Sequence, residues 1–284
     1  LEDCETRLKP TTLINKTNII NYRIAPYFND IPIYNITPAM VRKWQNEIIN
    51  SGLAPTTQRY INCILSAILT FAVKYYNLPF NPVSRVGSIG KLKAENINFW
   101  TLEEYKQFIG YVDKPMYKMM FELFFFTGLR CGELLALTYN DIDTENGILS
   151  VNKSLATVNG KTIIQTPKTA KSKRKIVLPP FIIKHLQEYV KHLYGYEPGA
   201  RLFQIKRMGV TNALKKACEL SGVKKIRIHD LRHSHASLLI NLNFSPTLIA
   251  DRLGHENVTT TLNIYGHLYP SKQAEVVEKL EKLQ

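Results

Sequence analysis

Apolar residues recur at helical spacing through most of this chain, but between Ile142 and Pro179 the period falls to two. That one interruption constrains the fold more than any other feature. The stretch "GILSVNKSLATVNGKTIIQTPKTAKSKRKIVLP" alternates apolar with polar residues, and Asn-Gly pairs stand at 146–147 and 159–160. Asn-Gly suits two-residue hairpin turns because both residues tolerate φ > 0. A mainly α fold with one small antiparallel β-sheet is therefore expected.

The helical parts carry their own punctuation. In "NITPAMVRKWQNEIINSG", Thr37 is placed to cap, Pro38 to occupy the first helical position and Gly52 to stop the helix. The next run places Ile61, Ile64, Leu65, Ile68, Leu69 and Ala72 on one helical stripe. A stretch with prolines, glycines and no sustained period follows, so the chain divides into a helical domain over 1–83, a linker over 84–99 and a second domain over 100–284. Thr101 and Glu104 form a capping-box pattern at the start of the second domain, and "YKMMFELFFFTG" is apolar enough for a buried helix ending near Gly128. At the far end, Ala274, Val277 and Leu280 share a stripe opposite Lys272, Glu275 and Lys279, which predicts an amphipathic tail helix over 271–284.

Charge narrows the class of partner. Lys and Arg number 37 against 23 Asp and Glu, a net charge of +14 that points to a polyanion, nucleic acid before membrane surface. Residues 1–99 hold 11 Lys and Arg against 6 acids and residues 100–284 hold 26 against 17, so both domains share the surplus. No apolar run reaches the length of a membrane span. The 4 cysteines lie far apart without a CxxC pair, which argues for a reducing, cytoplasmic setting and against structural zinc or disulfides. The start at Leu1 rather than Met is expected of a piece of a longer protein.

Four stretches of the second domain hold groups suited to chemistry. "TGLRCGEL" sets Arg130 beside glycines with Glu133 spaced to brace it; "TPKTAKSKRK" gathers Lys168, Lys171, Lys173, Arg174 and Lys175; "HDLRHSHAS" supplies His229 and Arg232; "LGHENVTTTLNIYGH" supplies His255 and Tyr265. Each has a plain structural reading: an ion pair, a solvated hairpin tip, a helix-start histidine, a half-buried tyrosine. Together they suit phosphoryl transfer. Guanidinium forks match phosphate oxygens bidentately and stay charged. A phenol of pKa about 10 needs a base or a strong positive field before it attacks at neutral pH. A leaving alkoxide needs a proton donor such as a lysine. His229 and His233, four apart, would suit a metal, but no third ligand stands near them in sequence, and no carboxylate cluster suits magnesium. No cofactor and no metal are expected.

The order Arg, Lys, His-x-x-Arg, His, Tyr in "TGLRCGEL", "TPKT", "HDLRHS" and "LGHENVTTTLNIYGH" resembles the tyrosine recombinase (phage integrase) family, in the style of integrases of conjugative transposons and related Gram-positive phages. The resemblance covers about 100 to 270, and the helical domain before it is similar to the family's core-binding domain. It implies a site-specific DNA recombinase whose lobes clamp the duplex and whose tyrosine forms a covalent 3′-phosphotyrosine, integrating or excising a mobile element. Arg130 and Arg232 would hold the scissile phosphate, and His255 would hydrogen-bond it. Lys168 would protonate the leaving 5′ oxygen, His229 would take the proton of Tyr265, and Glu133 would support Arg130. Asp230 would support the helix start, with His233 and His235 in packing or support. Tyr269 is the rival nucleophile and Lys171 the rival acid.

For DNA contacts the candidates are Lys171, Lys173, Arg174 and Lys175, together with Arg42, Lys43 and Arg59 of the first domain. The resemblance further implies a dimer on one site and a tetramer in synapsis, with exchange of the C-terminal tail, and an accessory directionality factor. It implies a bacterial cytoplasmic setting, nucleoid-associated when bound, and an arm-binding domain upstream in the larger members. The competing readings are a type IB topoisomerase-like enzyme and a non-enzymatic DNA-binding regulator.

Overall fold

The structure, a computed structural model, describes residues 2–92, 97–158, 160–166, 170–269 and 281. Contacts divide the chain into two compact units, Leu1–Asn96 and Ile97–Gln284. Among the described residues no helix is long and apolar enough to cross a membrane.

The first unit is helical. Helix Pro10–Ile19 runs into a π-helical turn over Ile20–Ile24 and then helix Ala25–Phe28. Pro26 has no N–H to donate, and the ladder shifts register just ahead of it. Helix Pro38–Asn50 is capped as its sequence predicts: the Thr37 hydroxyl accepts from the Met40 N–H at 3.3 Å. Its stripe of Val41, Trp44 and Ile48 packs with Ile61, Ile64, Leu65, Leu69 and Ala72 of helix Pro55–Tyr75 in one apolar cluster.

The expected linker begins too early. Helix Pro82–Val86, capped by the Asn81 side chain, buries Val83, and Ile89 joins the same core. The Lys91 N–H donates to Pro55 O at 3.1 Å. Gly90, at φ +71, lies so close to helix Pro55–Tyr75 that a Cβ would fall 2.0 Å from Pro55 O. Residues 84–91 thus belong to the first unit, because side chains in this irregular stretch find apolar and hydrogen-bonding partners that its lack of period conceals.

The second unit opens on Trp100, 1% exposed, whose backbone N–H donates to Ser234 Oγ at 2.9 Å. Thr101 and Glu104 close the predicted capping box on helix Leu102–Ile109. Helix Pro115–Thr127 is apolar nearly all round and runs through the core, ending at Gly128 in the left-handed conformation with φ 66. Helix Cys131–Ala136 follows at once.

Two antiparallel sheets form among the described residues, where one was expected. Strands β1 (Ile142–Asp143), β2 (Ile148–Val151) and β5 (Arg174–Val177) make a sheet in the order β1-β2-β5, while β3 (Ser154–Val158) and β4 (Lys161–Gln165) pair only with each other. The break falls at Asn152 and Lys153, whose side chains both bind Asp141 Oδ1, at 3.2 and 3.0 Å. That anchor ends β2 and lets the chain leave its sheet, which period-two alternation cannot reveal. Helices Pro180–Lys191, Arg207–Ser221, Asp230–Asn241, Pro246–Leu253 and Val258–Tyr265 complete the unit. The predicted tail helix over 271–284 lies outside the described residues apart from Glu281.

Candidate active site

Chain reversals, more than helix faces, bring the predicted groups together. Gly128 ends one helix and turns the chain so that Arg130 stands at the N-terminus of Cys131–Ala136. Glu133, one turn later, accepts from the Arg130 backbone N–H and from its Nη1, both at 2.9 Å. Glu133 is 5% exposed. Burial alone would raise its pKa, but hydrogen bonds and charges from Arg174 and Arg130 outweigh that and hold it below the usual carboxylate range. It is ionised at neutral pH.

Arg232, on helix Asp230–Asn241, is 2% exposed and has no carboxylate partner among its hydrogen bonds. Its Nη1 donates to Gly128 O at 2.8 Å and its Nη2 to Leu253 O at 2.6 Å. Both carbonyls end helices that stop at left-handed glycines, where the negative pole of the helix favours a cation. Burial, then the charges of Arg130 and Arg174, push the guanidinium down to about 9. It stays charged at pH 7, a cation short of anions.

Tyr265 ends helix Val258–Tyr265 with its ring packed against Ala236, Ile240 and Leu253, and it is 1% exposed. Its hydroxyl lies 2.6 Å from Nδ1 of His233. Burial raises the phenol to about 12 even though Arg232 and Arg130 pull the other way. Unaided ionisation at pH 7 would then reach only one molecule in about 10⁵. A phenol held this high needs a neighbouring base before it can attack, and the His233 ring is the group within hydrogen-bond reach of its hydroxyl. Burial holds the His233 pKa below its ordinary value, so the ring is neutral at pH 7 and able to accept.

His229, the proton acceptor expected from the sequence, meets the His233 ring edge-on with centroids 5.1 Å apart. Burial, then His233 and Arg232, lower it to about 4. The two rings supply no metal site, since among the described residues no three His, Cys, Asp or Glu side chains converge. His255 is 9% exposed and held by Thr261 Oγ1 at 2.7 Å; burial and the charges of Arg232, Arg130 and Arg174 push it down to about 3. Asp230 accepts from the Arg227 N–H at 2.8 Å and closes the start of its helix. His235 is structural: it bonds Phe125 O at 2.8 Å and Arg252 Nε at 3.1 Å. The rival tyrosine, Tyr269, has a buried hydroxyl with no hydrogen-bond partner among the described residues.

Of the cationic run, Lys168 lies outside the described residues, while Lys171, Lys173 and Lys175 are exposed. Arg174 corrects the sequence reading. Its side chain is 5% exposed and bound to Glu133 at 2.9 Å, so a surface contact with DNA is closed to it. Lys153 was not singled out. Its Nζ lies 2.7 Å from Asp141 Oδ2, and the next residue, Ser154, packs so tightly on Gly132 that a Cβ there would fall 2.5 Å from Ser154 Oγ. A lysine is thereby placed immediately before strand β3, whose first residue abuts the Arg130 helix. In the first unit Lys43 is exposed and unengaged by any described partner, whereas Arg42 donates to Val86 O at 2.7 Å and Arg59 to Ser88 Oγ at 3.1 Å. The sequence named His233 only for packing or support and Arg174 only as a DNA contact, and foresaw neither the contact of His233 with Tyr265 nor that of Arg174 with Glu133. For His233 the one available signal was its place four residues after His229, on the same helical face.

Comparison with known proteins identifies the family. Residues 85–272 match the phage integrase family, and residues 1–49 match the phage integrase N-terminal SAM-like domain. The chain is 36% identical to the ICEBs1 integrase of Bacillus subtilis (strain 168) over 299 residues, covering 100% of this chain and 81% of that protein. It is 30% identical to the integrase of Staphylococcus phage L54a over 312 residues, covering 97% and 88%. Among solved structures, the Tn1549 transposon integrase in complex with a circular intermediate DNA shares the fold with a TM-score of 0.82, at 21% identity over 98% of this chain and 95% of that one. A lambda integrase dimer bound to a COC' core site does so at 0.71, with 21% identity over 92% and 90%. The chain belongs to the phage integrase family, the tyrosine recombinases that cut and rejoin DNA strands at specific sites through a covalent tyrosine intermediate.

Proposed function

We propose that this recombinase integrates and excises a mobile element, with Tyr265 as nucleophile, His233 as its proton acceptor, and Arg130 and Arg232 on the scissile phosphate. The observation that carries the assignment is the 2.6 Å contact between the Tyr265 hydroxyl and His233 Nδ1. In the tautomer with hydrogen on Nε2, the phenol donates to Nδ1. The phenolic oxygen attacks phosphorus, its proton passes to His233, and the bond to the 5′ oxygen breaks. The product is a 3′-phosphotyrosine and a free 5′ hydroxyl. Charge that develops on the non-bridging oxygens is met by guanidiniums already fixed in place, the efficient way to stabilise it. His255, kept neutral, adds a hydrogen bond to the same oxygens. Lys168 supplies the proton to the leaving oxygen. The position of Lys153 beside the Arg130 helix makes it the competing acid.

The relatives and neighbours are named for conjugative, phage and transposon elements, which supports integration and excision as the task. The lambda neighbour is a dimer on its core site, and this chain is expected to bind its DNA in the same stoichiometry. Both units, Leu1–Asn96 and Ile97–Gln284, grip the duplex, as a clamp would. Two dimers form the synaptic tetramer, the 271–284 tail exchanges between protomers, and an accessory factor sets direction. The setting is the bacterial cytoplasm. A recombination assay on paired attachment sites, run beside supercoil relaxation of a plain plasmid, tests this reading. Recombinant product is expected. Relaxation alone would favour a topoisomerase-like enzyme, and binding without either would favour a regulator.

A further inference from the structure

Arg174 is a charged side chain buried beside the reacting groups with no task in the scheme above. It opens strand β5, paired with Val151 of β2, and its side chain is 5% exposed. A guanidinium buried that far must be matched donor by donor. Nε donates to Arg252 O at 2.8 Å; Nη1 donates to Ser172 O and to Glu133 Oε1, each at 3.2 Å; Nη2 donates to Glu133 Oε2 at 2.9 Å. Glu133 is simultaneously the brace of Arg130. One carboxylate is therefore shared between two guanidiniums, of which only that of Arg130, 37% exposed, is open to a ligand.

The third attachment is to the turn that leads into His255. Gly254, at φ +67, lies against Arg174: a Cβ there would come within 3.0 Å of its Cδ and within 3.2 Å of Lys171 O. Arg174 so joins three pieces from distant parts of the sequence, namely the Arg130–Glu133 pair, the Arg252–Gly254 turn and the cationic segment over 171–175.

We propose that Arg174 is a positioning residue for strand cleavage: through Glu133 it sets the Arg130 guanidinium, and through the Arg252–Gly254 turn it seats the cationic segment beside His255. It acts without touching DNA. With Arg174 gone, both oxygens of Glu133 are free to draw Arg130 inward, away from the phosphate. A displacement of about 1 Å in such a site costs about 10²-fold in rate. The charge of Arg174 also contributes, after burial and the charges of Arg232 and Arg130, to keeping His255 neutral.

The inference rests on the recombination chemistry proposed above, and the test separates the two. The probe is a nicked duplex carrying the element's own end sequence, with full-length wild-type, R174Q and R174K chains compared at saturating DNA. For R174Q, covalent adduct is expected to form about 10²-fold more slowly while duplex affinity stays within about twofold. R174K restores the charge without the bidentate fork and is expected to recover less than about tenfold of that loss. Adding E133Q to R174Q is expected to slow cleavage little further, because the two act as one unit. A folding defect would lower the fraction of protein that reacts; positioning lowers the rate of the reacting fraction, and R174K provides the second reading if R174Q folds poorly. Unchanged cleavage at saturating DNA, with weaker binding and a salt slope reduced by about one phosphate, would overturn the proposal and return Arg174 to the DNA surface. If the wild-type chain forms no adduct, the recombination chemistry itself fails and this inference fails with it.

Discussion

In the first unit the buried polar side chains are neutral amides, Gln45, Gln58 and Asn62, and they bond one another and nearby carbonyls. Its cations Arg42 and Lys43 stay at the surface. In the second unit acidic and basic side chains go inside: Glu133, Asp141, Asp230 and Arg232 are all buried. Burying an ion costs several kcal/mol even after relaxation, whereas a neutral amide costs less, even where one atom, Gln45 Oε1, is left without a partner among the described residues. The amides fix the shape of a surface, which is what the proposed grip on the duplex backbone asks of this unit. The buried ions hold charge in a fixed direction for a ligand that brings the opposite sign. Arg130 and Arg174 share the one carboxylate of Glu133 while Arg232 bonds only carbonyls, and an entering phosphodiester would supply negative charge that the site lacks.

The comparison breaks if the buried groups prove dispensable to chemistry or the surface cations prove indispensable to it. The largest effect is expected at the leaving oxygen. Lys168→Ala is expected to cleave ordinary DNA about 10²–10⁴-fold more slowly, and to be restored on a substrate with a 5′-bridging sulfur, which departs without a proton. If Lys153→Ala shows that pattern and Lys168→Ala does not, the acid is Lys153. Next comes the base: His233→Ala is expected to lose about 10²-fold or more in adduct formation at saturating DNA, and His229→Ala less. The reverse order would restore the assignment suggested by the sequence.

Stability against pH tests the cost of the buried site. His235 and His255 are both pushed down to about 3, His235 by burial and then Arg252, His255 by burial and then Arg232. Both are neutral above the ordinary 6.5 in folded and unfolded chains alike, so they carry no penalty there. Below it the unfolded chain takes up protons that the folded chain refuses, and stability falls until the folded pKa is reached. At pH 5 the loss is about 2 kcal/mol for each histidine. Thermal melts are expected to drop steeply from pH 7 to 5 in the wild type and less in His235→Gln. The smallest effect belongs to the first unit. Lys43→Ala is expected to weaken duplex binding modestly and lower its salt slope by about one, with cleavage at saturating DNA and melting temperature unchanged.

These effects also sort what the sequence could and could not disclose. Caps are local chemistry, and Thr37, Thr101 with Glu104, and Gly128 were legible as helix ends because each satisfies backbone groups within a turn of itself. Arg130 with Glu133 was legible for the same reason. The contact between His233 and Tyr265 spans 32 positions and depends on how helices Asp230–Asn241 and Val258–Tyr265 pack, so spacing along the chain could not choose between His229 and His233. Arg174 looked like one more cation in a basic run. Only the tertiary structure shows Glu133 and the Arg252 carbonyl waiting for it. The split into two sheets was hidden because the anchor for Asn152 and Lys153 is Asp141, outside the alternating pattern.

Whether the Tyr265 hydroxyl oxygen is the atom that joins DNA can be measured directly. The wild-type chain would be trapped on a nicked suicide duplex carrying the element's end sequence, digested with trypsin and nuclease, and the nucleotide-bearing peptide sequenced by mass spectrometry. A phosphotyrosyl linkage is expected on Tyr265, in Tyr269→Phe as well as in wild type, with no adduct in Tyr265→Phe. A linkage on Tyr269 or any other residue, or an adduct that survives in Tyr265→Phe, would contradict it.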